Sequence, residues 1–212
     1  EDVRLVLEKS IEIDQGTGQK LQFMDEVLGE HNFKIPEIKE AVYFAKGYAI
    51  KVTGGDSKKY LDFARQVFQD SQKDRARRLL DTALIKALEG SVERKEALFF
   101  GAENFKGNYR QTLQKEFPYD PQVLYEKGLR MENQVNNFTI SPNLTVRRLV
   151  YVKAIEIYKS ISDDPVYEEW AKLRIDICKE ELPKCSELFQ LGMKKGDKLD
   201  LPVIGAVKID CK

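Results

Sequence analysis

Ala76-Arg77-Arg78-Leu79-Leu80-Asp81-Thr82-Ala83-Leu84-Ile85-Lys86-Ala87-Leu88-Glu89-Gly90 is the stretch that decides the fold. Its Ala76, Leu79, Leu80, Ala83, Leu84, Ala87 and Leu88 recur three and four residues apart, the spacing of one helical face, and the run stops at a glycine. The same spacing appears upstream in Ala41, Phe44, Ala45, Tyr48, Ala49 and Val52, which begin after Pro36 and end at Gly54-Gly55. Asp56 and Ser57 then offer N-cap oxygens for a third run, Tyr60, Leu61, Ala64, Val67 and Phe68. Residues 37–53 and 57–72 are therefore expected to form an antiparallel helical hairpin.

Helical stripes continue in both directions. They run through Val3/Val6/Leu7, Leu21/Met24/Val27/Leu28, Leu98/Phe99/Ala102/Phe105, Val123/Leu124 with Leu129, Val150/Ala154/Ile157/Ile161 and Trp170/Leu173/Ile177. Gly, Pro or Asn stands at nearly every junction, and no convincing strand alternation appears. The pattern predicts an all-α fold of about ten helices joined by short turns. Lys198 to Asp210 has Pro202 and Gly205 placed against a helix, so 198–212 is expected to lie as an extended tail on a single domain spanning 1–197.

Composition bounds function. The 212 residues carry 35 Lys+Arg against 35 Asp+Glu, which argues against a strongly basic nucleic-acid binder and an acidic disordered chain. Apolar runs such as Leu149-Val150-Tyr151-Val152 fall short of the roughly 20 residues needed to span a membrane. A soluble globular protein is expected. The single histidine, His31, and three cysteines outside any C-x-x-C pair do not make a usual zinc set, and no cofactor motif is present. Gly16-Thr17-Gly18-Gln19-Lys20 lacks the spacing and the preceding strand of a phosphate loop and reads as a turn. No catalytic residue, metal or cofactor is expected.

Two segments have a large residue followed four positions later by glycine, Tyr43-x-x-x-Gly47 and Leu124-x-x-x-Gly128, and Ala97-x-x-x-Gly101 is a weaker copy. Second helices show Gly107-Asn108-Tyr109-x-x-Thr112-Leu113 and Tyr151-x-x-Ala154-x-x-x-Tyr158. Those spacings resemble the tetratricopeptide repeat over roughly residues 37–177. The glycines stand 54 and 27 residues apart where a regular array repeats at about 34, so the repeats are degenerate. The 73–90 helix is an extra element, Pro118 cuts one second helix short, and 133–144 inserts a polar loop. A helical bundle that only uses glycine where helices cross is the alternative architecture.

The resemblance implies antiparallel hairpins stacked in a right-handed superhelix and a scaffold that binds a peptide or protein on its concave face. Carried over from the matched glycines, the lining would be Phe44, Tyr48 and Lys51, then Leu98, Ala102 and Phe105, then Tyr125, Leu129, Glu132 and Asn133. Such an aromatic, nearly neutral groove suits an apolar peptide or helix. A carboxylate clamp of Lys, Asn and Arg is absent from these positions. The second functional expectation is a helical bundle holding a small apolar ligand in an internal pocket. A third is an enzyme using Glu93 and Glu96 or Asp163 and Asp164.

Other features carry weaker expectations. Lys73-Asp74-Arg75-Ala76-Arg77-Arg78 and Arg147-Arg148 read as solvated faces rather than phosphate contacts, so no nucleic-acid partner is expected. Asn137-Phe138-Thr139 and Asn143-Leu144-Thr145 are glycosylation triplets of relevance only in a eukaryotic secretory setting. Cys178 and Cys185 flank Pro183, and either a bridge between them or free thiols leaves Cys211 unpaired. Self-association through the tail is a further option. A chain beginning at Glu1 is expected to be a processed or partial form, compatible with a cytoplasmic location or with export after signal-peptide removal.

Overall fold

The computed structural model describes residues 36–212. The expected helices around Val3–Leu7 and Leu21–Leu28, the turn at Gly16–Lys20 and His31 lie outside the described residues. The described chain is mostly helical, with ten α-helical segments and two short strands. None of its helices is long and apolar enough to cross a membrane. One compact unit ends at Glu116 and the other spans Phe117–Lys212. The boundary lies within 1–197, the stretch expected to form one domain, at the helix stop that precedes Pro118.

In the first unit, α1 (Pro36–Val52) and α2 (Ser57–Gln69) form the expected hairpin. Gly54, at φ 68°, makes the turn, and the Asp56 carboxylate caps α2 by accepting from Lys59 N at 2.9 Å. The antiparallel register is visible in side chains: the Lys46 ammonium donates to Gln66 Oε1 at 2.8 Å, and the Tyr43 and Phe63 rings lie 5.8 Å apart. α3 (Lys73–Lys86) returns along α2, tied by the buried Ser57 hydroxyl donating to Ala83 O at 2.9 Å. Ala76, Leu80 and Ala83 are buried as the periodicity predicted. The helix stops four residues before Gly90, however, because Ala87 is extended, and Leu88 stands exposed rather than in the stripe.

Ser91 caps α4 (Val92–Asn104), and α5 (Tyr109–Glu116) folds back against it. Arg94 of α4 donates from Nε and Nη2 to the two Glu116 carboxylate oxygens at 2.7 and 2.8 Å, and from Nη1 to Leu84 O at 2.9 Å. This forked pair holds the ends of α3, α4 and α5 together.

The second unit begins with α6 (Pro121–Asn133), capped by Asp120 with Pro121 in its first turn. A 3-10 turn (Gln134–Asn136) and the single helical turn α7 (Leu144–Arg147) lead to α8 (Val150–Lys159). The intervening loop is ordered by one side chain. Arg147, 6% exposed, donates to the carbonyls of Val135, Ser141 and Pro142 at 2.8–2.9 Å while its guanidinium lies 4.2 Å from the Phe138 ring. Arg147 is thus an internal strut, and it does not form the solvated basic face expected of it.

α9 (Glu168–Glu181) packs on α8, and α10 (Cys185–Gln190) follows. The stripe expected to be buried on α9, Trp170 and Leu173, faces outward at 58% and 53% exposure. The buried stripe is Ala171, Ile175 and Cys178, a second set at helical spacing on the same segment. The tail also departs from expectation. β1 (Lys198–Leu201) and β2 (Gly205–Lys208) pair antiparallel, turning at Val203 (φ 70°) and Gly205 (φ 83°). Leu201, Val207 and Ile209 enter the core beside α8 and α9 residues. Four-residue strands interrupted by Pro202 and Gly205 are too short to show alternation in sequence.

Cys211 is not unpaired. It is bridged to Cys185 across 26 residues, and backbone bonds from Cys185 N to Lys212 O and from Lys212 N to Pro183 O, both 3.1 Å, flank the bridge. Cys178 is free and buried on α9, on the far side of the turn that Pro183 makes.

Candidate partner-binding site

The residues expected to line a groove separate into surface and core. On α1, Phe44, Tyr48 and Lys51 follow at i, i+4 and i+7 and so share one face. Phe44 and Lys51 are exposed and Tyr48 is half-buried, while Tyr43 and Ile50 on the other side of the helix belong to the core with Phe63. Beside this face lies a cleft of 230 Å³ between α1 and α2, walled by Ala49, Ile50 and Phe63 and rimmed by Lys46, Lys59 and Asp62.

The α4 set does not form a surface. Leu98 is 2% exposed, so it is a core residue. Half-buried Phe105 is held edge-on by Phe68 at 5.5 Å and Phe100 at 5.8 Å, and Ala102 is half-buried beside them in sequence. These side chains fill the angle where α2, α4 and the start of α5 meet, because the short α4–α5 turn brings their apolar faces inward.

In the second unit, Leu129 is half-buried and Asn133 is exposed on α6. Half-buried Tyr125 is sandwiched between the rings of Tyr158 at 5.9 Å and Tyr167 at 5.5 Å. Glu132, expected at the groove, is instead buried. Its carboxylate accepts from the Tyr158 hydroxyl at 2.5 Å and from Arg174 Nε at 3.0 Å, with a second contact from Arg174 Nη2. A buried carboxylate needs such partners, and these two come from α8 and α9. Arg174 was not legible as a partner, since 42 residues separate it from Glu132.

Electrostatics follow this burial. Desolvation raises the Tyr158 hydroxyl above its ordinary value, and the hydrogen bond to Glu132 adds to it. The hydrogen bond to Glu132 raises Arg174. Burial, with the Glu132 charge nearby, pushes the Cys178 thiol up to about 12, which makes it an inert structural cysteine at neutral pH.

The carboxylates considered for catalysis have structural partners or solvent. Asp164 Oδ1 accepts from Val166 N and Tyr167 N at 2.9 and 3.1 Å, closing the turn before α9, and Glu96 pairs with Arg65 at 3.6 Å. Glu93 and Asp163 are exposed. Among the described residues no group of three or more His, Cys, Asp or Glu side chains is placed to hold a metal ion.

Two exposed apolar features join the α1 face as surface that sequence reasoning missed. Trp170 and Leu173 project from α9, and Ile85 at the end of α3, Leu88 in the turn and Val92 at the start of α4 project at 62–84% exposure. A second apolar stripe on each segment was the available signal.

No protein-family model matches the chain, and neither a curated protein nor a solved structure is detectably similar to it.

Proposed function

We propose that this chain is a non-enzymatic adaptor of degenerate tetratricopeptide-like hairpins that binds an apolar peptide or amphipathic helix of another protein. The observation that carries the proposal is a repeated crossing. In two helix pairs the glycine of the first helix is closely covered by an aromatic ring of its neighbour, Gly101 by Tyr109 and Gly128 by Tyr158, and Gly47 lies in ordinary contact with the Phe63 ring. A duplicated hairpin would inherit such a pairing of a glycine with a facing aromatic ring. The surface that remains for a partner is Phe44, Tyr48 and Lys51 in the first unit and Leu129 and Asn133 in the second. Phe and Tyr supply contact area with few rotors to freeze.

Four arginines engaged within the fold are in keeping with a protein partner. Arg75 pairs with Glu40 at 2.9 Å, Arg94 with Glu116 and Arg174 with Glu132, while Arg147 is spent on backbone carbonyls. The competing reading, a small apolar ligand held between helices, has the 230 Å³ cleft at Ala49, Ile50 and Phe63 in its favour. That volume is below the roughly 300–1,000 Å³ of ordinary small-molecule sites.

The test is affinity capture from extract of the source cell with wild type and a Phe44→Ala/Tyr48→Ala variant side by side, with retained proteins and extracted small molecules both identified. A protein held by wild type and lost by the equally stable variant supports the adaptor. A small molecule retained without any protein supports the cleft instead.

A further inference from the structure

The second unit contains a cleft of 410 Å³ between α8 and the β-hairpin that the adaptor proposal does not use. Its apolar side is formed by Val152, Ile155 and Ile209, all under 9% exposed. Its rim carries Lys159 from α8, Lys195 and Gly196 from the turn before β1, and Lys208 and Asp210 from the end of β2. The wall is fixed in place: Gly196 N donates to Ile209 O at 2.9 Å, Ile209 N to Asp197 O at 2.8 Å, and the Cys185–Cys211 bridge anchors the strand just beyond Asp210.

Charge is unbalanced at this rim. Three lysines face two carboxylates, and one of those, Glu156, already accepts from Lys153 at 2.8 Å. The other, Asp210, pairs with Lys195 at 2.7 Å and accepts from Cys211 N at 2.9 Å. Lys195 and that amide, with the charge of Lys159 nearby, hold the Asp210 carboxyl below its usual range. Lys208 has no ion pair among the described residues, and directly across the hairpin it meets Lys198, with Asp200 only diagonal to it. Like charges directly opposite each other on two strands are destabilising. A rigid apolar wall under surplus ammonium groups is the complement of a molecule with an apolar body and a negative head.

We propose that this cleft binds a small organic anion, its phosphate or carboxylate head held by Lys159 and Lys208 and its apolar body laid on Val152, Ile155 and Ile209. Lys195 belongs to the wall through its bond to Asp210, so the head draws on the other two lysines. The site is built from residues of α8 and the hairpin, none of which belongs to the adaptor surface, and it stands or falls independently of the adaptor reading.

The test is a nuclear magnetic resonance titration of the isotope-labelled, disulfide-bonded full chain with phenyl phosphate, alongside inorganic phosphate and phenol as half-ligands. The expected result is saturable shifts at the amides of Gly196, Lys208 and Ile209, tighter for phenyl phosphate than for either half. Affinity should fall about tenfold or more in a Lys159→Gln/Lys208→Gln variant of unchanged spectrum. Lys159→Arg/Lys208→Arg should keep most of it, which separates loss of charge from loss of fold. No saturation, equal binding by the Gln variant, or phenyl phosphate no tighter than inorganic phosphate would each overturn the proposal.

Discussion

Replacing Gly128 and Gly47 by alanine should move stability in opposite directions, and the size of the difference comes from the crossings themselves. A Cβ on Gly128 would fall 2.6 Å from Tyr158 Cζ and 3.0 Å from its hydroxyl oxygen. Tyr158 is fully buried and its hydroxyl is bonded to Glu132, so the ring cannot retreat without giving up that bond. Overpacking costs about 1–3 kcal/mol, and weakening a hydrogen bond to a charged group about 1.5–3 kcal/mol. Alanine in a helix interior returns about 1 kcal/mol. Gly128→Ala should therefore destabilise the second unit by about 2–4 kcal/mol. At Gly47 the nearest atom, Phe63 Cε1, is 3.5 Å away, an ordinary contact, so Gly47→Ala should gain about 0.5–1 kcal/mol from propensity alone. Guanidinium unfolding reads both. Trp170, the single tryptophan, belongs to the second unit and reports it by fluorescence, while far-ultraviolet dichroism follows both units. Pairing Gly128→Ala with Tyr158→Leu should recover part of the loss, the coupling expected of residues in contact. A Gly128→Ala unfolding free energy within about 0.5 kcal/mol of wild type would refute the packed crossing of Gly128 on Tyr158.

Four further outcomes are expected. Cys185→Ser/Cys211→Ser should lose about 3.5 kcal/mol in the chain-entropy account of a 26-residue closure, measured by the shift of the Trp170 unfolding transition. Native Cys178 should resist iodoacetamide at pH 8 and react only on unfolding; because its folded thiol titrates near 12 and an unfolded one near 8.5, the stability it carries is intact below about pH 8.5 and declines above it. Glu132→Leu should cost about 3 kcal/mol by leaving Arg174 and Tyr158 unpaired, whereas Glu132→Leu/Arg174→Met should recover the part due to Arg174 and leave the part due to the Tyr158 hydroxyl, as thermal unfolding of the three proteins would show. Arg94 holds Glu116 below the usual carboxylate range through its hydrogen bonds, so the stability contributed by Glu116 is present above about pH 4.3 and lost as pH falls through its folded value; Glu116→Gln should flatten that acid limb.

Helix positions were legible where one apolar stripe dominates, as at Tyr60, Leu61, Ala64 and Val67 or at Ala76, Leu80 and Ala83. On α9 two stripes compete, Trp170/Leu173/Ile177 and Ala171/Ile175/Cys178, and periodicity alone cannot choose between them. Trp170 suggested burial of the first stripe, but Ala171, Ile175 and Cys178 are the residues that join the core with α8. The glycine four after Leu124 pointed correctly at a crossing at Gly128, as did the weaker Ala97 copy at Gly101, since close approach leaves no room for a Cβ, whereas Gly47, four after Tyr43, has only an ordinary contact. The surface set was harder to read. Phe44 and Lys51 are exposed as expected, whereas Leu98 is interior and Glu132 is buried against Arg174, a partner 42 residues away. Cys211 likewise meets Cys185 only because the hairpin turns the chain back, which a four-residue strand pattern does not announce.

The most direct measurement of the adaptor claim is hydrogen exchange of the full chain with and without the protein that it captures. The account predicts slowed exchange over the α1 segment carrying Phe44, Tyr48 and Lys51, absent in the Phe44→Ala/Tyr48→Ala variant. Slowing confined to other segments, or equal in the variant, would contradict it.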